Sequence, residues 1–152
     1  MKVLRLILII SYLFLTTSIT SAACIVSTTA VSFGVYDIFS PSPTNSTGTI
    51  SFACNESPPP DVIVSIGPSP NSGSFYPRKM RLTGGSDLLN YNLYTDATCT
   101  NVWGDGTSGT IVLTKKAHKS IPVTLTVYGR IPTGQDVSAG SYSDILTVIL
   151  TW

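Results

Sequence analysis

Apolar and polar residues alternate in short runs along most of this chain, and Gly, Pro, Ser, Asn and Asp interrupt them every few positions. Side chains alternate between the two faces of a strand, so the pattern predicts β-strands, with helical signals almost absent. The predicted strands are 24–27, 31–35, 48–54, 61–66, 78–82, 88–95, 110–114, 121–128 and 141–152. Between them lie Pro41, Pro43, Pro58-Pro59-Pro60, Gly67-Pro68, Pro70-Asn71-Ser72-Gly73 and Gly84-Gly85. Proline lacks the donor a sheet ladder needs, so these places break strands. Trp103-Gly104-Asp105-Gly106-Thr107 predicts a tight turn, because Asp-Gly supplies the positive φ angles of a hairpin. Many short strands with frequent turn signals point to one all-β sandwich or barrel domain.

The last predicted strand is the longest and most apolar. Tyr142, Leu146, Val148, Leu150 and Trp152 fall on one face, and Ile145, Thr147, Ile149 and Thr151 fall on the other. The stretch from Gly140 to Trp152 would extend roughly 40 Å at the usual rise. A strand of this kind needs neighbours on both edges, or it becomes a template for another chain. No later segment follows to supply one.

The start of the chain reads differently. Met1-Lys2-Val3-Leu4-Arg5 is basic, Leu6 to Leu15 is apolar, and Ser21-Ala22-Ala23 resembles a small-residue cleavage site. These are the parts of a secretory signal peptide over 1–23, with the apolar run too short for a membrane span. The mature domain is then 24–152, in an oxidising compartment where disulfides form. No later stretch is apolar enough to cross a bilayer. Without Lys2 and Arg5 the nine Lys and Arg fall to seven, against eight Asp and Glu. That near-neutral balance carries no basic stripe for nucleic acid. With 11% charged and 43% hydrophobic residues, the composition suits a protein that assembles with others.

Three cysteines follow the leader. A Cys24–Cys54 bridge would tie the first predicted strand to the third, close a loop of about 31 residues and stabilise by roughly 3–4 kcal/mol. Cys99, in the polar turn Asp96-Ala97-Thr98-Cys99-Thr100, is then unpaired within the chain and free to pair between chains. The alternative is a lipidated Cys24, which would leave Cys54 to pair with Cys99. Ser21 stands where a lipoprotein signal wants an apolar residue.

Enzymatic chemistry finds little support. The single histidine, His118, sits in the basic turn Lys115-Lys116-Ala117-His118-Lys119, away from any evident nucleophile. Glu56 is the single glutamate, so a carboxylate pair for glycoside hydrolysis is a poor prospect. Asp96, Asp105 and Asp136 read as turn-formers, and Asp96 with Asp105 matches no calcium loop. No cofactor or metal site is expected. Tyr91, Leu93 and Tyr128 read as sandwich packing, whereas Trp103 beside its turn is the candidate adhesive residue for a surface or glycan. Asn45-Ser46-Thr47 and Asn55-Glu56-Ser57 fit the glycosylation sequon.

A series of short motifs carries a resemblance. In order they are Val31-Ser32-Phe33-Gly34-Val35-Tyr36, the strand 48–54, Arg78-Lys79-Met80, and Tyr91-Asn92-Leu93-Tyr94-Thr95-Asp96. Then come Trp103-Gly104-Asp105-Gly106-Thr107, Tyr128-Gly129-Arg130-Ile131-Pro132 with Gly134-Gln135, and Gly140-Ser141-Tyr142-Ser143-Asp144. Together they resemble the spore coat protein U domain, the family that includes Csu-type pilins of archaic chaperone–usher pili. The resemblance covers essentially all of 24–152. It implies an immunoglobulin-like β-sandwich lacking its last strand, completed by a periplasmic chaperone and then by the next pilus subunit at an outer-membrane usher. It also implies that Leu146, Val148, Leu150 and Trp152 line one wall of the acceptor groove, and that basic residues of the chaperone grip the carboxylate of Trp152. The expected protein is a secreted, non-enzymatic fimbrial or coat component at the cell surface. Because Cys24 directly follows the expected cleavage site, a strand-accepting subunit at a fibre end or a stand-alone coat protein is expected, not a repeating shaft unit; an adhesin module is the alternative.

Overall fold

The computed structural model describes residues 24–152; the expected signal peptide, 1–23, lies outside the described residues. Nine strands form among the described residues: β1 (Cys24–Thr29), β2 (Thr44–Cys54), β3 (Asp61–Ile66), β4 (Arg78–Leu82), β5 (Leu88–Tyr94), β6 (Leu113–Lys116), β7 (Val123–Ile131), β8 (Tyr142–Ser143) and β9 (Val148–Thr151). Among the described residues there is no helix. The chain is all-β, and every strand pair is antiparallel.

Six strands make a large sheet in the order β1-β2-β7-β5-β4-β8, and three make a small one, β6-β3-β9. Alternation explains the division of faces. On β2, Ile50, Phe52 and Cys54 are buried while the residues between them are half-exposed. On β3, Val62, Val64 and Ile66 point the same way. These side chains meet Leu89, Tyr91 and Leu93 of β5 and Leu125, Val127 and Ile131 of β7 in one core shared by both sheets.

The register of β1 on β2 sets Cys24 opposite Cys54, and the two form the disulfide, leaving Cys99 free. The sulfur of Cys24 is therefore engaged in that bridge. The expected strands 24–27 and 48–54 are longer, reaching Thr29 and starting at Thr44, and 121–128 is displaced to Val123–Ile131; three others differ in kind or in position. Residues 31–35 form no ladder; Val31 and Phe33 instead lie over Gly129, where a Cβ would fall 2.5 Å from Val31 Cγ1 and 2.7 Å from Phe33 Cζ. The side-chain hydroxyl of Ser46 donates to the carbonyl of Ser32 at 2.5 Å and holds this segment in place. The strand expected over 110–114 begins later, at Leu113, because Ile111 bridges to Trp103 first. The long strand expected over 141–152 is two pieces. β8 pairs with β4 in the large sheet, β9 pairs with β3 in the small one, and the chain crosses between them at 144–147.

Candidate functional site

Crossing from one sheet to the other leaves an opening. A groove of about 1190 Å³ runs between the sheets. It is lined by Met80, Leu89, Tyr91, Leu93 and Val127 of the large sheet, by Leu146 and Val148 of the last stretch, and by Val31 and Phe33. Leu146, Val148, Val31 and Phe33 pack against the core yet remain only partly buried. Apolar side chains so placed gain most of their burial only when something fills the space between them.

The backbone beside the groove is equally incomplete. β9 pairs with β3 alone, through Ile63↔Thr151, Val64↔Leu150, Ser65↔Ile149 and Ile66↔Val148. Its other edge has no strand partner among the described residues. Unpaired donors and acceptors along an edge form a template for an added strand. The groove thus combines apolar side-chain space with a row of open backbone groups.

One end of the groove rests on a polar frame. Arg78 is fully buried, and its guanidinium donates to the carbonyls of Ile66 (3.3 Å), Gly67 (2.9 Å) and Trp103 (2.8 Å) and to Asn92 Oδ1 (2.7 Å). It thereby fastens the end of β3 to β4, β5 and the Trp103 turn. Burial pulls the Arg78 pKa below its ordinary value. Beside it, the phenol of Tyr91 donates to Asp144 Oδ2 at 2.8 Å. Burial, then the hydrogen bond to the Asp144 carboxylate, push the Tyr91 pKa far above the usual phenol range, so the proton stays on the oxygen.

A model of the Spore Coat Protein U domain matches residues 10–149. The chain belongs to the spore coat protein U domain family. It is 33% identical over 133 residues to Protein U of Myxococcus xanthus, a match that covers 80% of this chain and 71% of that protein. Among solved structures, it is similar in fold to a chain of the chaperone–tip adhesion subunit pre-assembly complex from the archaic chaperone–usher Csu pili of Acinetobacter baumannii. The TM-score is 0.58 at 18% identity, over 86% of this chain and 40% of that one.

Within this spore coat protein U domain the residues singled out from sequence are distributed unequally. Leu146 and Val148 line the groove. Leu150 packs on the core beyond it, and Trp152 lies further out, half-exposed, its indole N–H donating to Glu56 Oε1 at 2.5 Å. Trp103 corrects the sequence reading: it is 0% exposed, and its indole N–H donates to the carbonyl of Val64 at 3.0 Å. A side chain so placed cannot touch a surface or glycan. The turn closes over it because Gly104 has no Cβ, which would collide with the side chain of Thr110. Asp96 accepts from the backbone N–H groups of Thr100 (3.1 Å) and Asn101 (2.8 Å), and Asp105 from that of Thr107 (2.9 Å), so both carboxylates organise their own loops. Hydrogen bonds from the Thr98 hydroxyl, then the Asn101 backbone, hold the Asp96 pKa down at about 2. His118 bridges to Ile121.

Sequence reasoning passed over Val31 and Phe33 as groove residues, and Arg78, Tyr91 and Asp144 as its polar frame. Arg78 carried a readable signal. Strand alternation puts it on the face of Met80, and an arginine pointing inward needs several acceptors. Asp144 carried the same signal, since alternation puts it on the face of Tyr142 and Leu146; the identity of its partners, Tyr91 and Asn71, was not readable, because they come from distant segments.

Proposed function

We propose that this spore coat protein U domain is a structural subunit of a chaperone–usher surface assembly, completed by an extended strand from a partner protein. The single observation that supports the reading most is the bare edge of β9 standing beside the unfilled apolar groove. An incoming strand there would pair its backbone with β9 and drop alternate side chains onto Met80, Leu93 and Val127. The partners are a periplasmic chaperone during export and another pilus subunit afterwards, delivered through an outer-membrane usher. The product is a fimbrial or coat component at the cell surface, with no catalytic role. The fold shared with a chain from a Csu chaperone–tip subunit complex agrees with this reading.

Expression in a periplasm with and without a chaperone of the Csu type tests it. A stable one-to-one complex, together with proteolysis of the chain when the chaperone is omitted, is the expected result. Equal yields of soluble monomer in both strains would overturn the assignment.

A further inference from the structure

The crossing at 144–147 poses a physical problem. Ser143 is paired with Arg81 in the large sheet and Val148 with Ile66 in the small one, and no ladder holds the residues between. Apolar walls facing each other across an empty groove lower their free energy by closing on it. Something must hold the crossing segment in place until an occupant arrives.

The far end of the crossing is tied by the amide of Gly67, which donates to the carbonyl of Thr147 at 2.9 Å. The near end is tied by Asp144. Its Oδ2 accepts from the Tyr91 phenol at 2.8 Å, and its Oδ1 accepts from Asn71 Nδ2 at 3.0 Å and from the backbone N–H of Ile145 at 3.0 Å. Tyr91 lines the groove from β5. Asn71 belongs to the loop after β3 and is itself immobilised, donating to the carbonyl of Lys79 (3.0 Å) and accepting from Arg81 Nε (3.2 Å). A carboxylate suits this point because every neighbour named is a donor, and a carboxylate only accepts. An amide there would turn its own NH₂ toward at least one of them.

Resting on the strand-acceptor reading, we infer that Asp144 is the positioning residue of the groove, which Tyr91 and Asn71 hold so that β8 and β9 stay in separate sheets and the bare edge of β9 stands ready before any strand arrives. Once the groove is filled, the added ladder along β9 takes over that task. Losing the pin therefore slows capture and leaves release unchanged. An ordinary stabilising contact would weaken the empty and filled forms alike.

The test uses the purified chain and a fluorescently labelled synthetic peptide alternating valine and threonine, with terminal lysines for solubility. Rates of association and dissociation are measured by stopped flow for the wild type, Tyr91→Phe, Asp144→Asn and Asp144→Ala. Tyr91→Phe removes one oxygen and keeps the ring that packs edge-on against Phe33, so it folds even where Asp144→Ala does not. The expected result is association slower by about tenfold, as for the loss of one hydrogen bond to a charged group, with dissociation unchanged. In the empty variants the amides of Val148 to Thr151 exchange faster with solvent, and filling the groove restores their protection. Association at the wild-type rate, or a change carried by dissociation, overturns the positioning role while leaving the acceptor reading intact. A wild-type chain that captures no such peptide overturns the acceptor reading itself.

Discussion

The small sheet has two edges, and the chain treats them in opposite ways. Along β6 the outer edge carries exposed Lys115 and Lys116, with Lys116 Nζ 4.0 Å from Asp61 on the neighbouring strand. Lysines on an edge discourage pairing with another chain, since docking would strip water from their ammonium groups. Along β9 the sequence is Val-Ile-Leu-Thr with no charge, and beneath it lies the groove. The same sheet is thus guarded on one side and open on the other. Edge exposure at β9 is accordingly a specific feature of this chain, placed where apolar side chains also lack a neighbour.

Three changes would break or sharpen that contrast, and a fourth serves as its control. The largest effect is expected from Val148→Asp, which sets a charge on the wall of the groove. Burying it under an incoming strand is costly, and binding of a strand peptide should fall by at least about a hundredfold; calorimetric titration reads this directly. Next comes Cys54→Ser, which opens the β1–β2 bridge at the far side of the large sheet. It should cost roughly 2–5 kcal/mol of stability, seen as a lowered melting temperature, while capture of the peptide persists. Replacing both Lys115 and Lys116 by threonine should alter monomer stability by only about 0.5 kcal/mol or less. It should nevertheless raise self-association in analytical ultracentrifugation, because the guarded edge has lost its guard.

The smallest effect concerns pH and belongs to neither edge. Asp96 titrates at about 2 in the folded chain against 3.8 ordinarily, and Asp87 and Asp105 are also held low. A carboxylate with a lowered folded pKa contributes stability above its unfolded value, and that contribution is lost as pH falls through the folded one. Thermal stability should therefore drop between pH 3.8 and about 2. Asp96→Asn should flatten that part of the profile equally with the groove empty or filled.

Much of the architecture was readable because alternation is a local signal. β3 and β4 form over the residues the sequence implies, and Ile50, Phe52 and Val64 point inward as their spacing requires. The strand-forming character of the last stretch was also readable from its β-branched and apolar residues, and β9 forms within it over Val148–Thr151. What escaped depends on contacts between distant segments. Val31 to Val35 alternates like a strand, but packing onto Gly129 and the bond from Ser46 hold it beside the groove without a ladder. The terminal stretch reads as one strand because apolar residues of one face resume at Leu146 after the single interruption at Asp144, and the partners of that residue show that the chain changes sheets there. Trp103 sits next to turn residues in sequence and is nonetheless buried, because the turn folds back through Thr110.

The most direct measurement is differential scanning calorimetry of the purified monomer, first alone and then saturated with the alternating valine–threonine peptide. If β9 has no second neighbour within the chain, as among the described residues, the domain should unfold at a low temperature by itself and gain stability with the logarithm of the peptide concentration, by mass action. If the solitary monomer already melts like a finished β-protein, and the peptide leaves its transition where it was, then β9 needs no partner and the central claim fails.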